Sequence, residues 1–455
     1  PIPEARILTS AGVMATDPYF ASDQYGNPVL SWTEQLPGSE DYLLKYAVFD
    51  PSEGSFGPAV SVTTSASTNT TAESANKVAF KSDGTIIALF GKRFNDPENR
   101  FAGAIQYSLS TNDGTTWSAP RYLHSDTLHQ YGRSFFDMAT LANGEVGAIW
   151  LDGRYGEADT GSALFFASTI PEGGFGMDKM IGESTCECCR TDLLVDSAGR
   201  IHIAYRDILY PPSHFGKQVR DMVYSASLDT GRTFSAPVRI SVDNWEIEGC
   251  PHSGPSLAVT QAGIQAVWFT AGPGSNSHPL MQSSSAAGIY QTILPLAGKT
   301  PEEQAACIAA APSRALMKGK QGFSARELVD SSGRHPQLIS LPGGGTALVM
   351  EQPDRNIPHE EAAGTAQTKS GGNAAHAGKA MAGHSGHGQA GASGTSTIVL
   401  RLNKPGKDPV LIQLTDGTGY AHHPVLAVPG AGMLLTAWVQ ENDGAPGIRY
   451  SLTRW

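Results

Sequence analysis

Short apolar runs with turn residues on both sides recur along the chain at intervals of about 60 residues. They are Val29-Leu30-Ser31-Trp32, Ile86-Ile87-Ala88-Leu89-Phe90, Gly147-Ala148-Ile149-Trp150, Ile201-His202-Ile203-Ala204-Tyr205, Gln265-Ala266-Val267-Trp268, Thr346-Ala347-Leu348-Val349-Met350 and Leu435-Thr436-Ala437-Trp438. Their length and β-branched or aromatic content predict strands. Before each lies another short strand and a turn, such as Lys81-Ser82-Asp83-Gly84, Ala142-Asn143-Gly144 or Asp196-Ser197-Ala198-Gly199. A third strand follows, as in Tyr46-Ala47-Val48, Gln106-Tyr107-Ser108, Phe165-Phe166-Ala167 and Val223-Tyr224-Ser225, and a fourth closes the unit, as in Val238-Arg239-Ile240-Ser241.

Four antiparallel strands repeated at this period predict an all-β chain, a seven-bladed β-propeller of four-stranded blades. The last unit has three strands of its own, and Ala5-Arg6-Ile7-Leu8-Thr9 supplies the missing one, so residues 1–10 are expected to close the seventh blade. Length alone would suggest about three domains, but the repeat makes residues 1–455 one domain. Two insertions interrupt it, 287–322 in the fifth blade and 355–394 in the sixth.

Composition adds little to the fold but narrows function. The chain is rich in Gly (51) and Pro (29) and low in charge, as many short strands and turns require. A net charge of -11 disfavours nucleic acid as a partner, because phosphate binding needs a basic face. No apolar run reaches the ~18 residues that a membrane span needs. The chain starts at Pro1 without a methionine, so no signal peptide is seen in this sequence; export to the periplasm or the medium is expected from the other features described below.

Ser110-Thr111-Asn112-Asp113-Gly114-Thr115-Thr116-Trp117 and Ser227-Leu228-Asp229-Thr230-Gly231-Arg232-Thr233-Phe234 resemble the Asp-box (BNR) turn of sialidase-like propellers, with Asn112 in place of Asp in the first. Phe49 to Pro58 resembles a decayed copy. The motif implies the propeller superfamily. It implies no activity, since the Asp box is a hairpin turn remote from the active face.

The five cysteines form no disulfide scaffold; three of them fall in Cys186-Glu187-Cys188-Cys189-Arg190 and a fourth in Gly249-Cys250-Pro251-His252. Aligning the repeats puts Asp17, Asn76, Arg133, Cys188-Cys189-Arg190, Cys250-Pro251-His252, Arg334-His335 and His422-His423 at the start of successive innermost strands, bordering one channel. Thiolates and imidazoles there predict a metal site of Cys186, Cys188, Cys189, Cys250 and His252, with His335, His422 and His423 next. A disulfide between Cys250 and one thiol of the 186–189 run is the competing reading. The segment His359 to Gly394, with His376, His384, His387 and Met381, is read as a weak metal-capturing arm on the same face, which favours copper over zinc.

Arg190, Arg133 and Tyr131 are the candidate catalytic residues, the two arginines placed to orient an anionic substrate or to lower thiol pKa values. The sialidase resemblance implies an arginine cluster, a tyrosine nucleophile with its activating carboxylate, and an aspartate acid/base. Arg93, Arg154, Arg206, Tyr155, Asp152 and Asp207 are further parts on that face, but no arginine triad stands out. The sequence therefore reads as an exported copper-binding propeller, leaning to a copper-dependent oxidoreductase with a small-molecule substrate or redox partner over a copper-handling, detoxifying protein. The alternative is a sialidase-like glycan hydrolase or glycan-binding module.

Overall fold

In the computed structural model, residues 2–70, 73–156, 161–171, 173–210, 218–247, 251–272, 286–309, 322–353, 395–441 and 444–455 are described. The insertion 355–394, with its histidines and Met381, lies outside them, as does Cys250. Of the insertion 287–322, the described part contains the helix Pro301–Ala309.

The chain is all-β, and among the described residues its strands form five sheets, antiparallel but for one parallel bridge, none of which closes on itself. The first unit pairs Ala15–Ser22, Pro28–Gln35 and Tyr42–Asp50, and the third of these also pairs with Ser55–Phe56 and Val60–Ser61. Lys77–Phe80, Ile86–Arg93, Gly103–Ser110 and Arg121–Tyr122 make a separate sheet, and so do Ser256–Val259, Gly263–Thr270, Gly288–Pro295 and Glu327–Asp330. The remaining repeats are fused two by two. Thr185 pairs antiparallel with Asp207 to join the units before and after it, and Ser396 joins the other two through a parallel bridge to Tyr420. Ala5–Ile7 pairs antiparallel with Gly447–Arg454, Ala5 lying opposite Ser451.

The first strands of the successive units are Ala15–Ser22, Lys77–Phe80, Arg133–Thr140, Asp192–Val195, Ser256–Val259, Arg334–Ser340 and Tyr420–Gly430. Each touches the next, and the last touches the first, which encircles a central channel. Between the units, the apolar runs read from the sequence pack into continuous cores. Trp32, Trp150, Trp268 and Trp438 are at most 1% exposed. Each indole N–H finds an acceptor: Glu34, Asp152 and Gln440 two residues on, and Asp243 for Trp268. A large ring is thereby buried without an orphaned donor.

The turns that resemble Asp boxes share one hydrogen-bond pattern. Gly231 N–H donates to Ser227 Oγ (2.8 Å) and Thr233 N–H to Asp229 Oδ1 (2.8 Å). In the first turn Gly114 N–H donates to Ser110 Oγ (3.0 Å) and Thr116 N–H to Asn112 Oδ1 (2.9 Å). Asn112 replaces the aspartate because its Oδ1 accepts the same backbone bond, while its Nδ2 donates to Thr116 Oγ1 (2.9 Å). In the second turn, Thr233 Oγ1 donates instead to Asp229 Oδ2 (2.6 Å).

Gly231 has φ +82°, and a Cβ there would collide with the Phe166 ring. Gly12, at φ +79°, has open space around it. Gly231→Ala is therefore expected to cost about 2–4 kcal/mol, from backbone strain plus overpacking, against about 1 kcal/mol for Gly12→Ala. Urea-unfolding midpoints of the two variants check this; equal losses would show that the Phe166 contact is irrelevant.

Candidate functional site

The innermost strands carry an irregularity that the sequence reading did not foresee. Register shifts fall between Thr16 and Tyr19, Ser134 and Asp137, Arg334 and Gln337, and His422 and Val425. In each bulge a non-glycine residue has positive φ: Asp17 (57°), Phe135 (51°), His335 (46°) and His423 (48°). Glu73 (67°) and His252 (48°) share that conformation. Such backbone costs energy and bends the strand. Here it collects polar side chains at one end of the channel. The sequence signal was a proline inside the strand, at Pro18, Pro336 and Pro424, since proline within a sheet is confined to edges and bulges.

Asp17, Glu73, Arg190, His335 and His423 line a small cavity in the channel. Arg190 Nη1 donates to Glu73 Oε2 (2.6 Å) and Nη2 to the Pro336 carbonyl (2.8 Å). His423 Nε2 lies 3.6 Å from Glu73 Oε1. The His335 and His423 rings are 4.9 Å apart. Nδ1 of His335 meets Glu351 Oε2 at 2.9 Å, and Tyr420 Oη donates to Glu351 Oε1 (3.3 Å). His422 bonds His423 through the two Nδ1 atoms (2.6 Å) and reaches Glu441 through Nε2 (3.0 Å). Burial lowers the basicity of His335, but the charges of Glu351 and Glu73 outweigh it and raise its pKa. Burial also pushes the Tyr420 phenol well up, with Glu351 adding to the effect, so the phenol keeps its proton at rest.

In the same cavity, Tyr19 Oη donates to Asp137 Oδ1 (2.8 Å) and Lys77 Nζ lies 3.2 Å from the same atom. Burial, reinforced by the charge of Asp137, pushes Asp192 up to about 7.

The cysteines form a separate corner. Cys188 is disulfide-bonded, whereas Cys186, Cys189 and Cys307 are free thiols. Cys186 and Cys189 have their sulfurs 2.8 Å apart and belong to an apolar cluster with Phe135, Leu193 and Tyr205. Arg220 Nη1 donates to Cys186 Sγ (3.2 Å). Burial raises the Cys186 thiol pKa, but the Cys189 hydrogen bond and the charges of Arg220 and Arg206 outweigh it and lower the pKa. Cys189 is pushed up by burial and by Cys186. His252 lies against Phe135 (ring centroids 6.3 Å), on the side of this corner. Among the described residues, the groups that could hold a metal are Cys186, Cys188 and Cys189 in one place and Glu73, His335 and His423 in another. The single thiolate/imidazole funnel expected from the sequence is therefore two sites, and the disulfide removes Cys188 as a thiolate ligand.

The candidate catalytic residues are scattered too. Arg133 is buried against Asp152 (3.1 Å) and Asp126 (3.2 Å) and packs over Tyr131, with 5.5 Å to the ring centroid. Arg154 bridges Asp152 (2.7 Å) and Asp178 (2.6 Å). Arg206 donates to the carbonyls of Phe269 (3.0 Å) and Arg220 (3.2 Å) and stacks over Trp245. Each of these guanidiniums is spent inside the protein, and Arg190 alone of the three candidates lines the cavity. Sequence reasoning missed Glu73, Glu351 and Tyr420.

Residues 35–322 match the model of the BNR repeat-like domain. No curated protein sequence matches the chain. The structure is similar to a protein of unknown function from Dyadobacter fermentans, with 13% identity over 99% of this chain and 98% of that one and a TM-score of 0.46. It is similar also to the polysaccharide lyase Uly1 (10% identity, 98% and 89% covered, TM-score 0.49) and to the intramolecular trans-sialidase of Ruminococcus gnavus (8%, 74% and 90%, 0.42). The expectation of a copper-binding oxidoreductase or copper-handling protein is overturned. The family match points instead to the sialidase-like, glycan-directed alternative, and among the described residues the ligands gathered for copper do not converge.

Beside the thiol corner, Asp207 Oδ1 is buried without a hydrogen-bond partner, and burial pushes this carboxyl up to about 8. The folded protein thus holds a proton that the unfolded chain releases near pH 4. The stability it contributes is full below about pH 4 and is lost as the pH rises towards 8. Asp207→Asn is expected to flatten the fall of stability over that window, with a change in slope of up to about 1.4 kcal/mol per pH unit. Urea titrations at pH 5, 6.5 and 8 check it; parallel pH profiles for wild type and variant would refute the assignment.

Proposed function

Because this chain belongs to the BNR repeat-like family and has its sialidase-like fold, we propose that it acts on glycans, as a glycoside hydrolase whose site is the channel mouth. The repeats are read as seven blades around that channel, a reading supported by the cyclic contacts of the innermost strands. The observation that carries the functional reading is the hydrogen bond of 3.3 Å from Tyr420 Oη to Glu351 Oε1, which is bonded in turn to His335 in the lining of the cavity that also holds Glu73 and Arg190. A phenol held against a carboxylate is a nucleophile with its base: as the oxygen bonds to the anomeric carbon, Glu351 takes the phenol proton and the glycosidic C–O bond breaks, the aglycone leaving with a proton from water; water then replaces the tyrosine oxygen on the sugar, and the phenol regains its proton from Glu351.

The arginines narrow the substrate. Arg133 and Arg154 are neutralised by aspartates, and Arg190 by Glu73. A free triad able to grip a sugar carboxylate is not supported, so the reading is a neutral glycan and not a sialoside. Export is part of the proposal, and the disulfide at Cys188 favours an oxidising compartment.

A panel of aryl glycosides and unlabelled oligosaccharides, assayed for release and for binding, tests the reading. Turnover of at least one neutral glycoside is expected, with Tyr420→Phe and Glu351→Gln each reducing it about 100-fold or more while leaving binding within a few-fold. If nothing in the panel is bound or cleaved, or if Tyr420→Phe keeps the wild-type rate, the proposal fails.

A further inference from the structure

Glu73, His335 and His423 come from three different units, yet one ligand atom of each lies within 4.8 Å of the other two. All three residues sit at positive φ, so the backbone is deformed at every one of the positions that aim these groups at a common point. We propose that this point binds a divalent cation of the zinc class, held by Glu73 Oε1 and by Nε2 of each histidine. The set is oxygen and nitrogen only; the thiols take no part.

Three features support it. First, the spacing is already near that of a bound ion. Two ligands at about 2.1 Å on a tetrahedral cation are roughly 3.4 Å apart, and His423 Nε2 and Glu73 Oε1 are 3.6 Å apart. Second, the outward nitrogens are already engaged. Glu351 occupies Nδ1 of His335, and His422, itself tied to Glu441, occupies Nδ1 of His423. Outer partners of this kind fix the ring and its tautomer and leave the other nitrogen as the lone pair for a metal. Third, the electrostatics permit it. Arg190 takes Oε2 of Glu73 and leaves Oε1, Lys77 is matched by Asp137, and Asp17 adds a further carboxylate to the cavity lining.

Three protein ligands leave one position of a tetrahedral ion to solvent or substrate, the arrangement of catalytic and not of structural zinc sites. The inference goes beyond the glycosidase reading, since binding can be measured without turnover.

Calorimetric titration of Zn²⁺ into full-length, chelator-treated protein is expected to give one site per chain. Glu73→Gln, a near-isosteric change that still offers Arg190 an acceptor, should weaken it at least 10-fold, as should His335→Ala and His423→Ala. Cys186→Ser and Cys189→Ser should leave it unchanged. Glu351→Gln should weaken it about 10-fold through His335 alone. Loading with Co²⁺ gives a second readout, a visible ligand-field band that disappears in His423→Ala. Near-UV circular dichroism identifies variants that have lost the fold, and in that case Glu73→Gln decides. Absence of a zinc heat in the wild type, retention of wild-type affinity in Glu73→Gln, or loss of the site in Cys186→Ser would each overturn the proposal.

Discussion

Positive backbone φ at the head of the innermost strands is the constraint on which the site depends. A regular strand alternates its side chains between the two faces of its own sheet and points none of them along the channel. A bulge breaks that alternation, and at His335 and His423 it is followed by proline, which could not have supplied a ladder donor anyway. The repeated fold therefore meets the cost of local strain several times at one rim, and the surrounding four-stranded units provide the rigidity that keeps those residues there. Asp17, Glu73, His252, His335 and His423 form a collection that no single strand could present.

Charge at the rim is balanced pair by pair. Arg190 is matched by Glu73, Lys77 by Asp137 and His335 by Glu351. Buried ions paired in this way add little net stability, because desolvation cancels most of the attraction, but removing one partner leaves the other exposed to a heavy penalty. Such pairing favours geometry over binding strength: the carboxylates and imidazoles are held in fixed orientations. It also explains why, of the candidate arginines, Arg190 alone lines the cavity, and there it is tied to Glu73. The charges of the others were used in holding loops, as Arg133 and Arg154 show around Asp152.

Much of the fold was legible because it rests on repetition. Runs such as Ile86–Phe90 and Leu435–Trp438 occupy equivalent central positions, and the Asp-box turns carry their hydrogen bonds in the residues themselves. The register also placed His335, His422, His423 and Arg190 near the channel. What it could not give was direction. Cys186 and Cys189 follow the same register but turn into an apolar cluster with Phe135 and Tyr205, because a thiol is as content there as beside water. Glu351 and Tyr420 escaped notice for the opposite reason: Tyr420 begins a strand and Glu351 lies near the end of one in the preceding unit, and the two meet where those units are joined at the Ser396–Tyr420 bridge. A sequence repeat predicts equivalence between units; the irregular joints between them are where the unpredicted chemistry lies.

The pairing of Ala5–Ile7 with Gly447–Arg454 has a mechanical side. Because Ala5 faces Ser451 and Ile7 faces Arg449, both strands leave this pair from the same end. A force applied to the two outer segments would peel the ladder open one hydrogen bond at a time instead of loading all of them in parallel. The ring is thus weakest under tension at its own seam, whereas the fused units, each joined internally along its chain, would be pulled only after the seam had parted.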